Sequence, residues 1–76
     1  MGEEIKKVKE GDTVIMDGIE YIFGESSTKA FNDSLRSLAR GVEPDTEIHL
    51  FASHRRGLGE FFSFSDLKKA LERQGR

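Results

Sequence analysis

The chain has no cysteine, no tryptophan, one proline and one tyrosine. Without cysteine there is no disulfide framework, the usual support of small secreted domains, and no thiolate to serve as nucleophile or metal ligand. The expected setting is therefore reducing and cytoplasmic. Long hydrophobic runs are also missing. No stretch approaches the roughly 20 apolar residues of a membrane-crossing helix. The opening Met1-Gly2-Glu3-Glu4 is acidic and lacks the apolar segment of a signal peptide. No membrane partner is expected. A strong charge of one sign is lacking too: the net charge is −2. That disfavours a stand-alone nucleic-acid binder, whose affinity rests largely on phosphate contacts.

What remains is a globular composition. Seventy-six residues, 36% hydrophobic and 34% charged, suit one small core with a well-solvated surface. Residues 1–76 read as a single domain, with residues 1–4 and 74–76 expected to fray. Six phenylalanines supply much of the bulk for the core. The charges are unevenly spread. Residues 1–27 hold seven acids against three lysines, and residues 51–76 hold six bases against three acids. Glu10, Asp12, Asp17, Glu20 and Glu25 follow one another without an intervening base. They are expected to form an acidic face at the hairpin end, suited to a basic partner surface.

The clearest local signal is Thr13 to Phe23, two β-rich runs flanking Asp17-Gly18. Asp-Gly suits a two-residue type I′ turn, so Met16 should face Ile19, Val14 face Tyr21, and Ile15 face Glu20. Val14, Met16, Ile19, Tyr21 and Phe23 are then the expected buried face, and Ile15, Glu20 and Ile22 the opposite one. Gly24 to Thr28 reads as a loop ending in cap residues. A helix is expected over 29–40, with Phe31, Leu35, Leu38 and Ala39 as its apolar stripe and Gly41 just past its end. Glu47 to Ala52 alternates as a strand, with Ile48, Leu50 and Ala52 on one face and Phe51 on the other. Ser53 to Gly59 is a basic, glycine-rich loop. Glu60 to Phe64 is a second strand, and Ser65 is expected to cap a final helix striped by Leu67, Ala70 and Leu71.

This order predicts an α+β fold, ββαββα, with a four-stranded antiparallel sheet and two helices on one face. A permuted ferredoxin-like arrangement fits, with the N-terminal strand taking the place of the family's last strand. A small open β-barrel with helices is the alternative.

Chemistry is sparse. Ser53 and His54 are strand neighbours and point to opposite faces, poor geometry for a nucleophile and its base. Glu47, His49 and His54 lack a recognised metal-ligand spacing. No metal, cofactor or catalytic residue is assigned, and the chain is expected not to be an enzyme. Arg55 and Arg56 beside Gly57 and Gly59 could clamp a phosphate or carboxylate, but the P-loop ending is absent. Arg56 to Phe64 is similar in composition to the basic, glycine and aromatic run on which RNA-recognition motifs stack bases. Leu58 and Glu60 stand where that run carries aromatics.

One consequence holds for either face: a strand bearing Phe61 and Phe62 must leave a ring on the side away from the core. Phe51, His54, Arg55, Arg56, Phe61 and Phe62 are therefore the candidate binding residues. The expected function is a small non-enzymatic module that binds another protein by occupying its surface. Regulators or inhibitors of the phage and mobile-element type, including anti-CRISPR-type proteins, fit this profile. The alternatives are a single-stranded RNA or DNA binder using the open sheet and the Arg55-Arg56 loop, and a homodimer or larger homo-oligomer acting as a structural subunit.

Overall fold

Asp17-Gly18 fixes the first hairpin. Both residues have positive φ, 55° and 78°, as a type I′ turn requires. In the computed structural model, which describes residues 7–54 and 57–75, β1 (Thr13–Met16) pairs antiparallel with β2 (Ile19–Ile22). Met16 lies opposite Ile19, Ile15 opposite Glu20 and Val14 opposite Tyr21, the expected register. Helix α1 (Glu25–Ala39) leads to β3 (Glu47–Ala52). Strand β4 (Gly59–Ser63) and helix α2 (Phe64–Arg73) follow.

The fold is α+β in ββαββα order, with an open four-stranded antiparallel sheet. The strands lie in sequence order, β1-β2-β3-β4. The strand order of the permuted ferredoxin-like arrangement, in which another strand separates the two joined by a helix, is not formed: β2 and β3 pair directly, with Tyr21 opposite Ala52 and Ile22 opposite Phe51. Among the described residues β1 and β4 are both edges, so the sheet does not close into a barrel.

One face of the sheet is covered by both helices. Val14, Tyr21, Phe23, Ile48, Leu50 and Ala52 meet Phe31 from α1 and Phe64, Leu67, Ala70 and Leu71 from α2 in a single core. Phe31 is the hub, with its ring 5.5 Å from Phe23 and 5.0 Å from Phe64. Val8 joins this core, and the Asn32 side chain holds its backbone from both sides. Asn32 Oδ1 accepts the Val8 N–H at 3.0 Å, and Asn32 Nδ2 donates to the Val8 carbonyl at 3.0 Å.

Two boundaries and the burial of one residue differ from the sequence expectation. First, α1 starts at Glu25, before the expected Lys29. Gly24 is its N-cap, and the Ser27 hydroxyl accepts the Gly24 N–H at 2.7 Å, so the Ser-Ser-Thr run is the first turn rather than the loop. The buried stripe accordingly runs Ser27, Phe31, Ser34, with Leu35 and Leu38 partly buried and Ala39 exposed. The Ser34 hydroxyl is satisfied by the Ala30 carbonyl at 3.0 Å. Second, Ser63, not Ser65, caps α2 and accepts the Asp66 N–H at 3.2 Å, so Phe64 opens the helix. Third, Ile19 is 37% exposed rather than core, because it borders a cleft at the turn end of the sheet. The end of α1 is as expected: Gly41 has φ +86°, its N–H bonds the Leu38 carbonyl, and the Val42 N–H bonds the Ser37 carbonyl, a Schellman closure.

Candidate functional site

Alternation along the strands determines what the uncovered face displays. Val14, Tyr21, Leu50 and Ala52 point to the helices, so their neighbours point away. The register sets Thr13, Ile22, Phe51 and Gly59 in one row across all four strands. Ile15 and Glu20 lie to one side of it, and His49 and Phe61 to the other. An apolar diagonal results, from Ile15 through Ile22 and Phe51 to His49 and Phe61. Ile15, Phe51 and Phe61 are 50%, 44% and 65% exposed.

The aromatic end of this diagonal is ordered. The His49 ring lies 4.6 Å from Phe51, tilted by 58°, and stacks on Phe61 at 4.7 Å and 23°. Gly59 makes this possible. A Cβ there would run into the His49 ring and lie 2.7 Å from the Leu50 carbonyl oxygen. Glycine at this position leaves room for the histidine to lie against β4 and support both phenyl rings.

The rim is acidic. Glu20 and Glu47 share the face. The first turn of α1 contributes Glu25 where β2 has ended. Gly24, Glu25, Ser27 and Ala30 form one wall of a groove of about 550 Å³, whose other wall is Glu47, His49, Phe51 and Phe61. No lysine or arginine occupies this face among the described residues of the four strands.

The candidate residues from the sequence separate into groups. Phe51 and Phe61 come together on the open face. Phe62 turns instead to the covered side, where its ring meets Tyr21 edge-on at 4.9 Å and packs against the core. His54 is exposed and lines a second, smaller cleft of about 320 Å³ with Ile19, Tyr21, Ala52, Leu58, Gly59 and Glu60. In that cleft the Tyr21 hydroxyl donates to Glu60 Oε1 at 3.3 Å. Burial first, then the adjacent Glu60 carboxylate, raise the Tyr21 pKa above the ordinary tyrosine range. Arg55 and Arg56 lie outside the described residues.

The five acids do not share one surface. Asp17 and Glu20 sit near the hairpin turn, where the Ser53 hydroxyl donates to Glu20 at 3.3 Å. Glu10 and Asp12 lie at the opposite end of the hairpin with Glu25, and Asp12 closes a turn by accepting the Lys9 N–H at 2.9 Å. Sequence reasoning missed His49 as the ring that joins Phe51 to Phe61. Its place two residues before Phe51, on the same strand face, was the available signal.

Among the described residues no group of three or more histidine, aspartate or glutamate side chains could hold a metal ion, and no helix is long and apolar enough to cross a membrane. No protein-family model matches the chain, and no curated protein or solved structure matches it.

Proposed function

We propose that this protein is a non-catalytic binding module that regulates or inhibits a partner protein by covering part of its surface with the open face of the sheet. The carrying observation is the ordered aromatic cluster His49, Phe51 and Phe61, held in solvent at the end of an apolar diagonal. Exposed contiguous apolar patches mark interaction sites. Burying one such phenyl ring is worth about 1.5–3 kcal/mol, enough for two rings to anchor an interface. The carboxylates of Glu20, Glu25 and Glu47 at the rim favour a partner with an apolar centre and a basic surround. The same carboxylates oppose the nucleic-acid alternative, in which the rings would stack on bases beside phosphates.

The test is a pair of titrations. Labelled single-stranded RNA and DNA are titrated against the protein at low and physiological salt, and a captured protein partner is titrated against wild type and Phe51→Ala. The expected results are no salt-resistant nucleic-acid binding, and a loss of partner affinity of about tenfold or more in Phe51→Ala with little change in salt dependence. Tight nucleic-acid binding at physiological salt that is lost in the Arg55→Ala, Arg56→Ala double variant would overturn the proposal.

A further inference from the structure

The two edges of the sheet are not equivalent. The hydrogen-bond pattern shows which backbone groups each edge presents. The Ala52 N–H bonds the Leu58 carbonyl and the Phe64 N–H bonds the Thr46 carbonyl. Antiparallel alternation then directs the backbone of Glu60 and Phe62 towards β3, and that of Gly59, Phe61 and Ser63 outward. On β1 the same reasoning directs Ile15 outward, and there the Gln74 side-chain amide donates to the Ile15 carbonyl at 3.4 Å. A residue from the end of α2 thus occupies the β1 edge.

Strand β4 has no such guard among the described residues. It contains no lysine and no proline, the usual devices that blunt an edge. Its one charged side chain, Glu60, lies on the covered face and accepts the Tyr21 hydroxyl. The side chain at the centre of the edge is Phe61, the most exposed of the large apolar side chains among the described residues.

We infer that two copies of this chain pair antiparallel through their β4 edges, about a two-fold axis at Phe61. The strand is self-complementary in that register. Phe61 faces its counterpart, and its outward N–H and C=O exchange two hydrogen bonds with those of the second copy. Gly59 faces Ser63, so small residues flank the ring pair, and Glu60 faces Phe62, so no like charges are directly opposed. A two-fold axis perpendicular to the sheet keeps both open faces on one side. The His49–Phe61 stacks of the two copies then join into one aromatic run across an eight-stranded sheet. A five-residue edge is small beside the roughly 800 Å² per partner of a standard interface, so the dimer is weak, with a dissociation constant on the order of 10–100 µM. The inference stands on the edge itself and does not depend on the identity of any other partner.

Sedimentation equilibrium from about ten-fold below to ten-fold above that range, with the full chain, tests it. Wild type should pass from monomer to dimer. Phe61→Lys, which sets two like charges across the axis at an exposed position, should weaken dimerisation at least tenfold while leaving unchanged the thermal melt taken at a concentration where wild type is monomeric. Ile15→Lys, an exposed apolar position on the same face at the other edge, should leave dimerisation intact. Amide exchange at Phe61 should slow with protein concentration, a signature of backbone pairing that packing of faces would not give. A chain monomeric at every concentration, a dimer indifferent to Phe61→Lys, a dimer broken equally by Ile15→Lys, or concentration-independent exchange at Phe61 would each overturn the inference.

Discussion

Tyr21 is the single tyrosine, so its ionisation can be followed without assignment. Its ring is buried against Phe62, and its hydroxyl points at Glu60. Both burial and the neighbouring carboxylate penalise the phenolate, so the folded pKa is raised. The unfolded value is about 10. A group with a raised folded pKa contributes stability that is fully present below the unfolded pKa and is lost as pH rises through the folded one. Folding stability should therefore hold up to about pH 10 and decline above it. Ultraviolet titration should show tyrosinate forming at higher pH than in a model peptide. Glu60→Gln should bring that midpoint part of the way back, since burial remains. Tyr21→Phe should flatten the alkaline decline. A wild-type midpoint at or below the model-peptide value would contradict the placement of the ring.

At the level of elements, backbone demands are the part that the sequence states openly. Asp17-Gly18 reads as a type I′ turn because few dipeptides tolerate positive φ twice, and the register of β1 against β2 follows from it. Gly18→Val places a β-branched residue at φ 78° and should cost about 1–2 kcal/mol by chemical denaturation, with an unchanged m-value. Cap positions were harder to read, because serine serves equally before a helix and in its first turn. Ser63→Ala should cost about 1 kcal/mol and Ser65→Ala much less, since only Ser63 accepts the Asp66 N–H. A larger loss from Ser65→Ala than from Ser63→Ala would place the cap where the sequence alone suggests it. Strand order was not legible either, because a long helical connection lets β3 settle beside β2 or one strand away. The exposed aromatics depend on pairing in the same way. A one-residue slip of β4 would exchange Phe61 and Phe62 between faces, so the sequence could promise a ring on the open side without saying which one.

For the molecule as a whole, the two faces of the sheet divide the phenylalanines between two tasks. Phe23, Phe31 and Phe64 are buried in the core, and Phe62 packs against it, while Phe51 and Phe61 stand in water. A domain of 76 residues has a small stability margin, about 5–10 kcal/mol. Phe31→Ala removes the hub that Phe23 and Phe64 pack against, and should cost about 3–5 kcal/mol, a large share of that margin. Phe61→Thr removes an exposed ring from a strand where threonine is well accommodated, and should change stability by no more than about 0.5 kcal/mol. Chemical denaturation of the two variants beside wild type checks both values. If Phe61→Thr proved as costly as Phe31→Ala, the open-face rings would be part of what holds the fold, and their exposure would need no partner to explain it. If Phe61→Thr is neutral in folding, the exposed ring adds nothing to the stability of the isolated chain. Its place on the surface, beside a glycine that leaves room for the histidine under it, then points to contact with another surface.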